Sequence, residues 1–298
     1  MDAHAITSSD GFRAAGLVAL GVITYAWGIE PYRIQVVRPT VEIPDLPEPL
    51  DGLTICHLSD LHVGAFRRLE KALYRKLCGL EVDLCLISGD LLHNASGFDP
   101  LARTLSGLVT RHGIYAVPGN AEHDPWAAGL PVAERLEERG IRALVNRAET
   151  ITVRGVEIAI AGVDDPYLGL DDPEKALAGT ASAGLRVLLA HSPDIAKDLG
   201  AEVPDLILCG HTHGGQIRLP FTGALWLHSR HSGLAISDGL YGPDTLSAVA
   251  GRDLGDLRMY VSRGLGGSGI RARFMCRPEV TVITLRNNAT SGGATASK

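Results

Sequence analysis

Short apolar runs alternate with segments of helical spacing along most of the chain. The runs are bounded by turn residues and are too short for helices, which predicts buried strands. The predicted strands are Leu53–Leu58, Leu84–Ser88, Ile114–Val117, Ile158–Val163, Arg186–Ala190, Leu206–Cys209, Arg258–Ser262 and Val280–Leu285. The predicted helices are Phe66–Cys78, Pro100–Thr110 and Pro131–Arg139, with Asp99-Pro100 and Asp172-Pro173 typical of helix starts. This alternation predicts an α/β domain with mostly parallel pairing, at least through residue 209.

An uncharged apolar segment, residues 14–29, lies near the N-terminus. Its sixteen residues compare with the roughly 20 that a spanning helix prefers. Tyr25 and Trp27 near one end suit a membrane interface, whereas Thr24-Tyr25-Ala26 is a poor cleavage site. The pattern favours a membrane anchor, single-pass or signal-anchor. A cleaved signal peptide and a soluble hydrophobic helix stay open as alternatives.

The charges beside this segment bear on its orientation. Arg13 stands before it, whereas Arg33 and Arg38 come after it. Because positive charge concentrates on the cytoplasmic side, the balance favours a membrane-associated protein whose main domain is cytoplasmic.

The remaining boundaries are set by composition. Residues 1–13 are expected to form an N-terminal tail, and residues 30–52 hold four prolines between Pro39 and Pro49. Such a stretch must be extended, which predicts a linker on the domain surface. The folded domain is expected at residues 53–286, and the small polar residues 287–298 are expected to form a disordered tail.

Composition and charge exclude several classes of protein. The chain has 298 residues, of which 45% are hydrophobic and 21% are charged, so it is globular rather than intrinsically disordered. A net charge of -6 gives no broad cationic surface, so no nucleic-acid partner is expected. The five cysteines contain no CxxC pair, which argues against a disulfide framework and a thiolate zinc site. Cys56, Cys85 and Cys209 lie inside apolar runs and are expected to be reduced core residues. No feature of the sequence indicates an oligomeric state.

Metal-capable side chains come after five of the predicted strands, each where the strand ends. In chain order they are Asp60 and His62, Asp90, Asn120, His191, and His211 with His213. One such residue alone is commonly a turn former or a helix cap. Because the carboxyl ends of parallel strands share one edge of a sheet, we expect these five loops to converge on one site.

The donor types at these strand ends indicate the kind of metal site. Residues two apart in an extended segment point the same way, so Asp60 with His62 can grip one centre, as can His211 with His213. Seven oxygen and nitrogen donors exceed what one ion needs and suit two ions that share a carboxylate. The mixture suits Mn²⁺, Fe²⁺ or Zn²⁺ without deciding among them.

The ordered set Asp60-Leu61-His62, Gly89-Asp90, Gly119-Asn120, His191 and Gly210-His211-Thr212-His213 resembles the calcineurin-like metallophosphoesterase superfamily over roughly residues 53–286. The resemblance implies a four-layer α-β-β-α sandwich with a dinuclear metal centre. It assigns one metal to Asp60, His62 and His213, the other to Asn120, His191 and His211, and the bridge to Asp90. The chemistry implied is in-line attack on phosphorus by a hydroxide held between two cations.

Two further segments narrow the resemblance. Residues 213–220 and 260–266, together with the apolar segment and Glu30-Pro31, are similar to the membrane-associated branch of that superfamily. Some members of the branch hydrolyse UDP-2,3-diacylglucosamine in lipid A synthesis. The resemblance therefore implies a phosphoester substrate, with a lipid-linked nucleotide sugar as the specific expectation and manganese as one expected metal.

The sequence departs from the superfamily at the acid or phosphate-contacting histidine that usually comes after Gly-Asn. Ala121 stands there and cannot do that work. His123, two residues later, is the first candidate to replace it, and His93 is the second. If neither serves, a leaving group as good as UMP needs less help than an alkoxide, which favours a pyrophosphate substrate.

A glycine loop at residues 264–269 matches G-x-G-x-x-G but lacks the βαβ unit of a dinucleotide site. The loop is expected either to be plainly flexible or to lie near the metals, where Arg263, Arg271 and Arg273 could clamp phosphate. The segment Trp226–Leu234 is expected to leave the sheet, where it could meet acyl chains or form a small local core.

Three functions remain in view. The leading one is a dimetal hydrolase of phosphodiester or pyrophosphate bonds, with UDP-2,3-diacylglucosamine as the specific substrate. The second is a broad phosphodiesterase or phosphatase acting on soluble substrates. The third is a catalytically weak protein whose metal site is structural or sensory and whose membrane-anchored domain binds a partner.

Overall fold

The computed structural model describes residues 8–224, 227, 229, 235–267, 269 and 271–287. Its helices in this part of the chain are α1 Ser8–Gly28, α2 Arg68–Leu77, α3 Phe98–Leu105, α4 Val132–Glu137, α5 Pro173–Leu177, α6 Ile195–Asp198 and α7 Pro243–Ala250. The first strands are β1 Gln35–Val37, β2 Thr40–Ile43, β3 Thr54–Leu58, β4 Glu81–Val82, β5 Leu84–Ser88, β6 Val109–Thr110, β7 Ile114–Val117 and β8 Ile141–Ala143. The others are β9 Arg147–Val153, β10 Val156–Gly162, β11 Leu185–Leu189, β12 Leu206–Cys209, β13 Arg218–Leu219, β14 Gly223–Ala224, β15 Gly239–Tyr241, β16 Arg258–Val261 and β17 Glu279–Asn287.

Two large sheets form the body of the structure. The first sheet has seven strands in the order β1-β17-β3-β5-β7-β8, with β2 also paired to β17. The second sheet has six strands in the order β15-β16-β12-β11-β10-β9. Pairing is parallel from β3 through β8 and from β10 through β16, and antiparallel where β17 meets β3 and where β9 meets β10.

The alternation of side chains along the strands builds three hydrophobic layers. In β5, Leu84 and Leu86 face the second sheet, whereas Cys85 and Ile87 face helices α2, α3 and α4. In the second sheet, β12 likewise turns Leu208 toward the first sheet and its neighbours toward α5, α6 and α7. The order helix, sheet, sheet, helix confirms the expected four-layer α-β-β-α sandwich.

The eight strands predicted from apolar runs are all present, with ends that shift by up to two residues. The predicted helix 100–110 is shorter than expected. It begins at Phe98 and ends at Leu105, and its last predicted residues form β6, which pairs with β4. Asp172 caps α5 as predicted, because its side chain accepts a hydrogen bond from the Lys175 N–H at 3.0 Å.

The proline-rich segment before residue 53 is extended but is not a surface linker, so that prediction was wrong. It supplies β1 and β2, which both pair in parallel with β17 at the far end of the chain. Val41, Ile43, Leu46 and Leu50 are buried in the layer between the two sheets. The prolines permit this because they fall outside the paired residues of an edge strand.

Helix α1 begins earlier and is longer than the apolar segment, since its 21 residues include residues 8–13 of the expected tail. Leu17, Val18 and Leu20 on it are more than half exposed. By length and composition it could cross a membrane, a test that a signal sequence also passes. Its last turn is fixed to the domain, where the Ala26 carbonyl accepts from the Arg273 N–H at 3.0 Å.

The five cysteines are free. Cys56, Cys85 and Cys209 are buried as predicted, Cys276 is also buried, and Cys78 is exposed. The expected tail lies outside the described residues from 288 onward, and Asn287 belongs to β17. Of the segment Trp226–Leu234, only Leu227 and Ser229 are described.

The burial of residues 40–50 generates a stability prediction. Leu46→Ala removes a side chain that is 1% exposed between the sheets, so we expect a loss of about 2–5 kcal/mol in the free energy of unfolding. The measurement is urea unfolding of the full chain in a neutral detergent. Glu42→Ala, on the exposed face of β2, is the control and should change stability by less than about 0.5 kcal/mol. Equal losses in the free energy of unfolding for the two variants would contradict the burial of Leu46 and would indicate that residues 40–50 lie on the domain surface.

Candidate metal centre

The seven candidate ligands come after five strands that end at one edge of the sandwich. Asp60 and His62 come after β3, Asp90 after β5 and Asn120 after β7, all in the first sheet. His191 comes after β11, and His211 and His213 after β12, in the second sheet. The candidate ligands therefore come from strands of both sheets rather than of one. Their side chains meet between the edges of the two sheets.

Asp60, His62 and His213 form the first group of potential ligands. Their nearest donor atoms all lie within 4.8 Å of one another. His213 Nε2 is 3.3 Å from Asp60 Oδ1, and the His62 and His213 rings stack with centroids 5.6 Å apart. This group is the set that the resemblance to metallophosphoesterases implies for one metal.

A second group joins Asp60, Asp90 and His191 within the same 4.8 Å limit. Asp90 faces both groups, because Oδ2 is 3.3 Å from His62 Nε2 and Oδ1 is 3.4 Å from His191 Nε2. His211 Nδ1 lies 3.1 Å from His191 Nε2, which adds a further imidazole beside this group.

Asn120 lies next to the second group. The N–H of Ala121, its neighbour in the chain, donates a hydrogen bond of 2.7 Å to Asp90 Oδ1. Asn120 itself is half-buried at the start of a short 3₁₀ turn, Asn120–His123.

The backbone of the ligand loops is unusual. Five of the seven candidate ligands have φ between 46° and 68°, in the left-handed region that residues other than glycine seldom adopt: Asp60, His62, Asp90, His211 and His213. Hydrogen bonds between loops hold this geometry, with the His62 N–H donating to the Asp90 carbonyl at 2.9 Å. Such conformations cluster at functional sites because the surrounding structure must compensate for their cost.

Two glycines allow the ligand loops to approach each other. A Cβ on Gly119 would lie 2.4 Å from Asp90 Oδ1 and 2.6 Å from the Asp90 backbone nitrogen. A Cβ on Gly210 would lie 2.4 Å from Asp60 Oδ2 and would overlap Ser59 Oγ. The Gly-Asn and Gly-His pairs of the sequence thus have a steric basis, since no larger residue fits beside the two carboxylates.

Electrostatics favour a divalent cation among these groups. Burial alone raises the pKa of Asp90, but the charges of His191 and His62 and the Ala121 N–H outweigh it and hold the pKa well below its usual range. Burial, with the Arg273 charge, lowers the pKa of His213, which keeps that imidazole neutral. Burial raises the pKa of Asp60, which a bound cation would offset. Burial lowers the pKa of His191, but the charges of Asp90 and Asp60 outweigh it and raise that pKa well above its usual value, so a bound cation would displace a proton there. An ionised carboxylate and a neutral imidazole are the forms that ligate Mn²⁺, Fe²⁺ or Zn²⁺, and the donor types fit such ions.

The loop after β10 supplies residues that the sequence reasoning missed. Asp165 is fully buried and lies close enough to His191 for each charge to shift the other's pKa. The Tyr167 ring lies 4.5 Å, centroid to centroid, from the His211 ring. Asp164-Asp165 comes directly after a predicted strand, as the candidate ligands do. The occurrence of polar residues at strand ends could therefore have indicated this loop.

Glu122 was also missed by the sequence reasoning, and it links the loops of two candidate ligands. Its Oε2 accepts from the Gly119 N–H and its Oε1 from the Leu92 N–H, both at 2.9 Å. Burial and the Asp90 charge raise the pKa of Glu122 to about 8. Glu122 thereby fixes the loop of Asn120 to the loop of Asp90.

The two candidate acids occupy different surroundings. His123 Nε2 lies 2.7 Å from Asp164 Oδ1, and both residues line an apolar cavity of about 290 Å³. His93 is exposed; slight burial, with the positive charges of Arg271 and His62, lowers its pKa.

The three candidate arginines differ in their burial and in their contacts. Arg273 is buried and donates through all three guanidinium nitrogens to backbone carbonyls, including those of Gly266 and Cys276. Arg263 forms an ion pair with Glu279 at 2.5 Å. The guanidinium groups of Arg273 and Arg263 are therefore engaged in contacts within the protein rather than directed toward a phosphate. Arg271, in contrast, is exposed at a cavity beside His62.

The glycine loop lies against the metal centre, which is the second of the two expectations for it. The Leu265 N–H donates to the Ser59 carbonyl at 3.1 Å, and the Gly266 N–H donates to the Asp60 carbonyl at 2.6 Å. The loop therefore supports the backbone of the first ligand from the side opposite to β5.

Comparison with known proteins agrees with this geometry. Residues 53–215 match the family model described as calcineurin-like phosphoesterase. The chain is 31% identical to the uncharacterized metallophosphoesterase YkuE of Bacillus subtilis, over 93% of this chain and 94% of that protein. It is 32% identical to the phosphodiesterase YaeI of Escherichia coli, over 78% and 81%. It is 34% identical to a transmembrane protein with a metallophosphoesterase domain from Danio rerio, over 85% of this chain and 57% of that longer protein.

The chain therefore belongs to the calcineurin-like phosphoesterase family. It is a metal-dependent phosphoesterase, and the side chains gathered at the sheet edge are candidate ligands for divalent ions.

The packing of Gly119 on Asp90 generates a prediction about metal affinity. Gly119→Ala places a methyl group against the Asp90 backbone, so Asp90 must move, and we expect at least about 10-fold weaker Mn²⁺ binding. The measurement is calorimetric titration of the full chain with Mn²⁺. Gly242→Ala is the matched control, because nothing lies within 4 Å of a Cβ there. Unchanged affinity in Gly119→Ala would show that Asp90 does not need its present position to hold metal.

Proposed function

We propose that this phosphoesterase hydrolyses a phosphodiester or pyrophosphate bond at a centre of two divalent cations. The observation that carries the proposal is the position of Asp90, whose two oxygens face His62 and His191 at 3.3 and 3.4 Å. A carboxylate between two imidazole groups is suited to bridge two ions. Asp60, His62 and His213 would hold one ion, and Asn120, His191 and His211 the other.

The bound cations would supply a water of lowered pKa and positive charge against the phosphoryl oxygens. The chain's own part is to position the ligands. Glu122 joins two ligand loops, and the left-handed turns aim side chains from both sheets into one space. The protein therefore needs no nucleophilic side chain of its own.

His123 is the residue we propose as the general acid or phosphate contact in place of the absent histidine at position 121. Its Nε2 lies 2.7 Å from Asp164 Oδ1, a contact that orients the ring. His93 is the second candidate, since it lies close enough to His62 to be influenced by its charge.

The specific substrate we propose is UDP-2,3-diacylglucosamine, hydrolysed to release UMP in lipid A synthesis. Support comes from the exposed apolar helix α1 beside the catalytic domain. Further support comes from the resemblance of residues 213–220 and 260–266 to the membrane-associated branch of the superfamily, some members of which hydrolyse this substrate. The name phosphodiesterase for the E. coli relative supports a bond between two esterified groups.

We propose further that α1 anchors the protein in a membrane with its catalytic domain in the cytoplasm. The names of two vertebrate relatives as transmembrane proteins support the anchor. The last turn of α1 also carries contacts that a cleaved signal peptide would take away: Tyr25 packs edge-on against Phe274 at 6.3 Å, and the Ala26 carbonyl accepts from Arg273.

The function is tested by hydrolysis of UDP-2,3-diacylglucosamine by the full chain in detergent micelles. We expect UMP release with Mn²⁺, none with EDTA, and at least about 100-fold less in Asp90→Asn, because that change removes the charge between the two ions.

Three results are distinguishable in this assay. Turnover of an aryl phosphodiester without turnover of the lipid would retain the chemistry and reject the substrate, in favour of soluble substrates. Metal binding without turnover of either would reject catalysis and favour a partner-binding protein. Activity that survives both EDTA and Asp90→Asn would reject the dimetal centre.

The role of His123 gives a separate prediction. We expect His123→Ala to lower kcat by about 10²–10⁴-fold with Mn²⁺ content unchanged, because loss of an acid slows protonation of the leaving group. His112→Ala is the control, since His112 precedes β7 at its opposite end. A loss of kcat confined to substrates with poor leaving groups would identify acid catalysis. A wild-type kcat on all substrates would exclude His123 as the general acid or phosphate contact.

A further inference from the structure

A second cavity, of about 240 Å³, opens beside the metal ligand His62. We call it the arginine cavity. Its lining comes from the short turn after α1, from the start of α2 and from the glycine loop: Pro31, Tyr32, Leu61, His62, Arg67, Arg68, Leu69, Glu70, Leu265, Gly266, Gly267, Arg271 and Arg273.

The arginine cavity carries unbalanced positive charge. Arg67, Arg68 and Arg271 are exposed, and none of them has a carboxylate within 4.0 Å among the described residues. Glu70, the one carboxylate in the described lining, accepts from the Arg67 N–H through Oε2 at 2.8 Å. Three guanidinium groups against one carboxylate form a site for an anion.

The same cavity is joined to the apolar helix. Arg68 Nη1 donates to the Gly28 carbonyl at the end of α1 at 3.0 Å. Its guanidinium carbon lies 3.9 Å from the centroid of the Tyr32 ring, which holds the charge by a cation–π contact. The cavity therefore lies between the end of α1 and the metal centre.

We propose that the arginine cavity binds a phosphate group of the substrate other than the one being hydrolysed, on the side of the molecule that faces α1. The proposal rests on the proposed function and specifies the substrate as an amphipathic phosphoester with a second anionic phosphate. Arg271 provides a planar pair of donors for two phosphate oxygens, while Arg68 is already oriented by Tyr32 and Gly28. His62 then marks the boundary between this subsite and the reacting phosphorus.

The shared chemistry is a phosphate, which could arrive on a soluble molecule or on a lipid headgroup. Two probes distinguish these sources: glycerol phosphate in solution, and phosphatidylglycerol incorporated in neutral detergent micelles. Binding of each to the full chain is measured by calorimetry in EDTA, so that neither metal nor turnover contributes.

We expect Arg271→Ala to weaken binding at least about 10-fold and Arg271→Lys to weaken it less, because lysine keeps the charge but loses the fork. Arg75→Ala is the matched control, since Arg75 is exposed on α2 and does not line the cavity. Arg271 makes no ion pair in the described part of the chain, so its removal should leave the fold intact.

Loss of affinity in the lipid arm alone would support a phosphate delivered on a lipid. Loss in both arms would support recognition of the phosphate without its tail. Equal affinity of Arg271→Ala and the wild type in both arms would overturn the subsite. Since these measurements involve no hydrolysis, failure of the proposed function would be seen separately, in the UMP assay.

Discussion

The burial of two carboxylates where the sheets meet is the constraint on which the rest of the structure depends. Asp60 and Asp90 are at most 2% exposed, and an unpaired charge in such surroundings is costly. The protein offsets that cost with imidazole groups from both sheets, with N–H donors such as that of Ala121 and with a site suited to cations. Stability of this edge and any metal binding there are therefore coupled, because the candidate ligands also compensate one another.

Much of this site could be predicted because its signal is local. Each ligand comes after a short apolar run, and the carboxyl ends of parallel strands meet at an edge. The apolar pattern alone could not predict that two sheet edges meet at the site, since the pattern of β5 or β12 does not say which sheet a strand joins. Two sheets were expected only from the resemblance to the superfamily. Glu122 was missed for a related reason: one of its two N–H partners, Leu92, lies 30 residues before it in the chain, and only the fold brings the two together.

The same limit explains the errors in the fold. Residues 40–50 were interpreted from their prolines, which do exclude helix, but proline content does not reveal a partner strand some 240 residues later. Arg273 was a plausible phosphate ligand by charge alone, yet its guanidinium is satisfied by backbone carbonyls in the interior. In both cases the deciding contact is distant in sequence, where propensity and motif carry no information.

The position of β17 has a consequence for how the chain is made. This last strand lies between β3 on one side and β1 and β2 on the other, so the first sheet is split until the C-terminal residues are available. During synthesis the apolar side chains of β2 leave the ribosome early, but they cannot pair with β17 until almost the whole polypeptide has been made. Closure of the sheet is thus a late, long-range event, slow by the measure of contact order. A chain truncated before Glu279 would contain the seven candidate metal ligands but would lack the strand that joins β3 to β1 and β2.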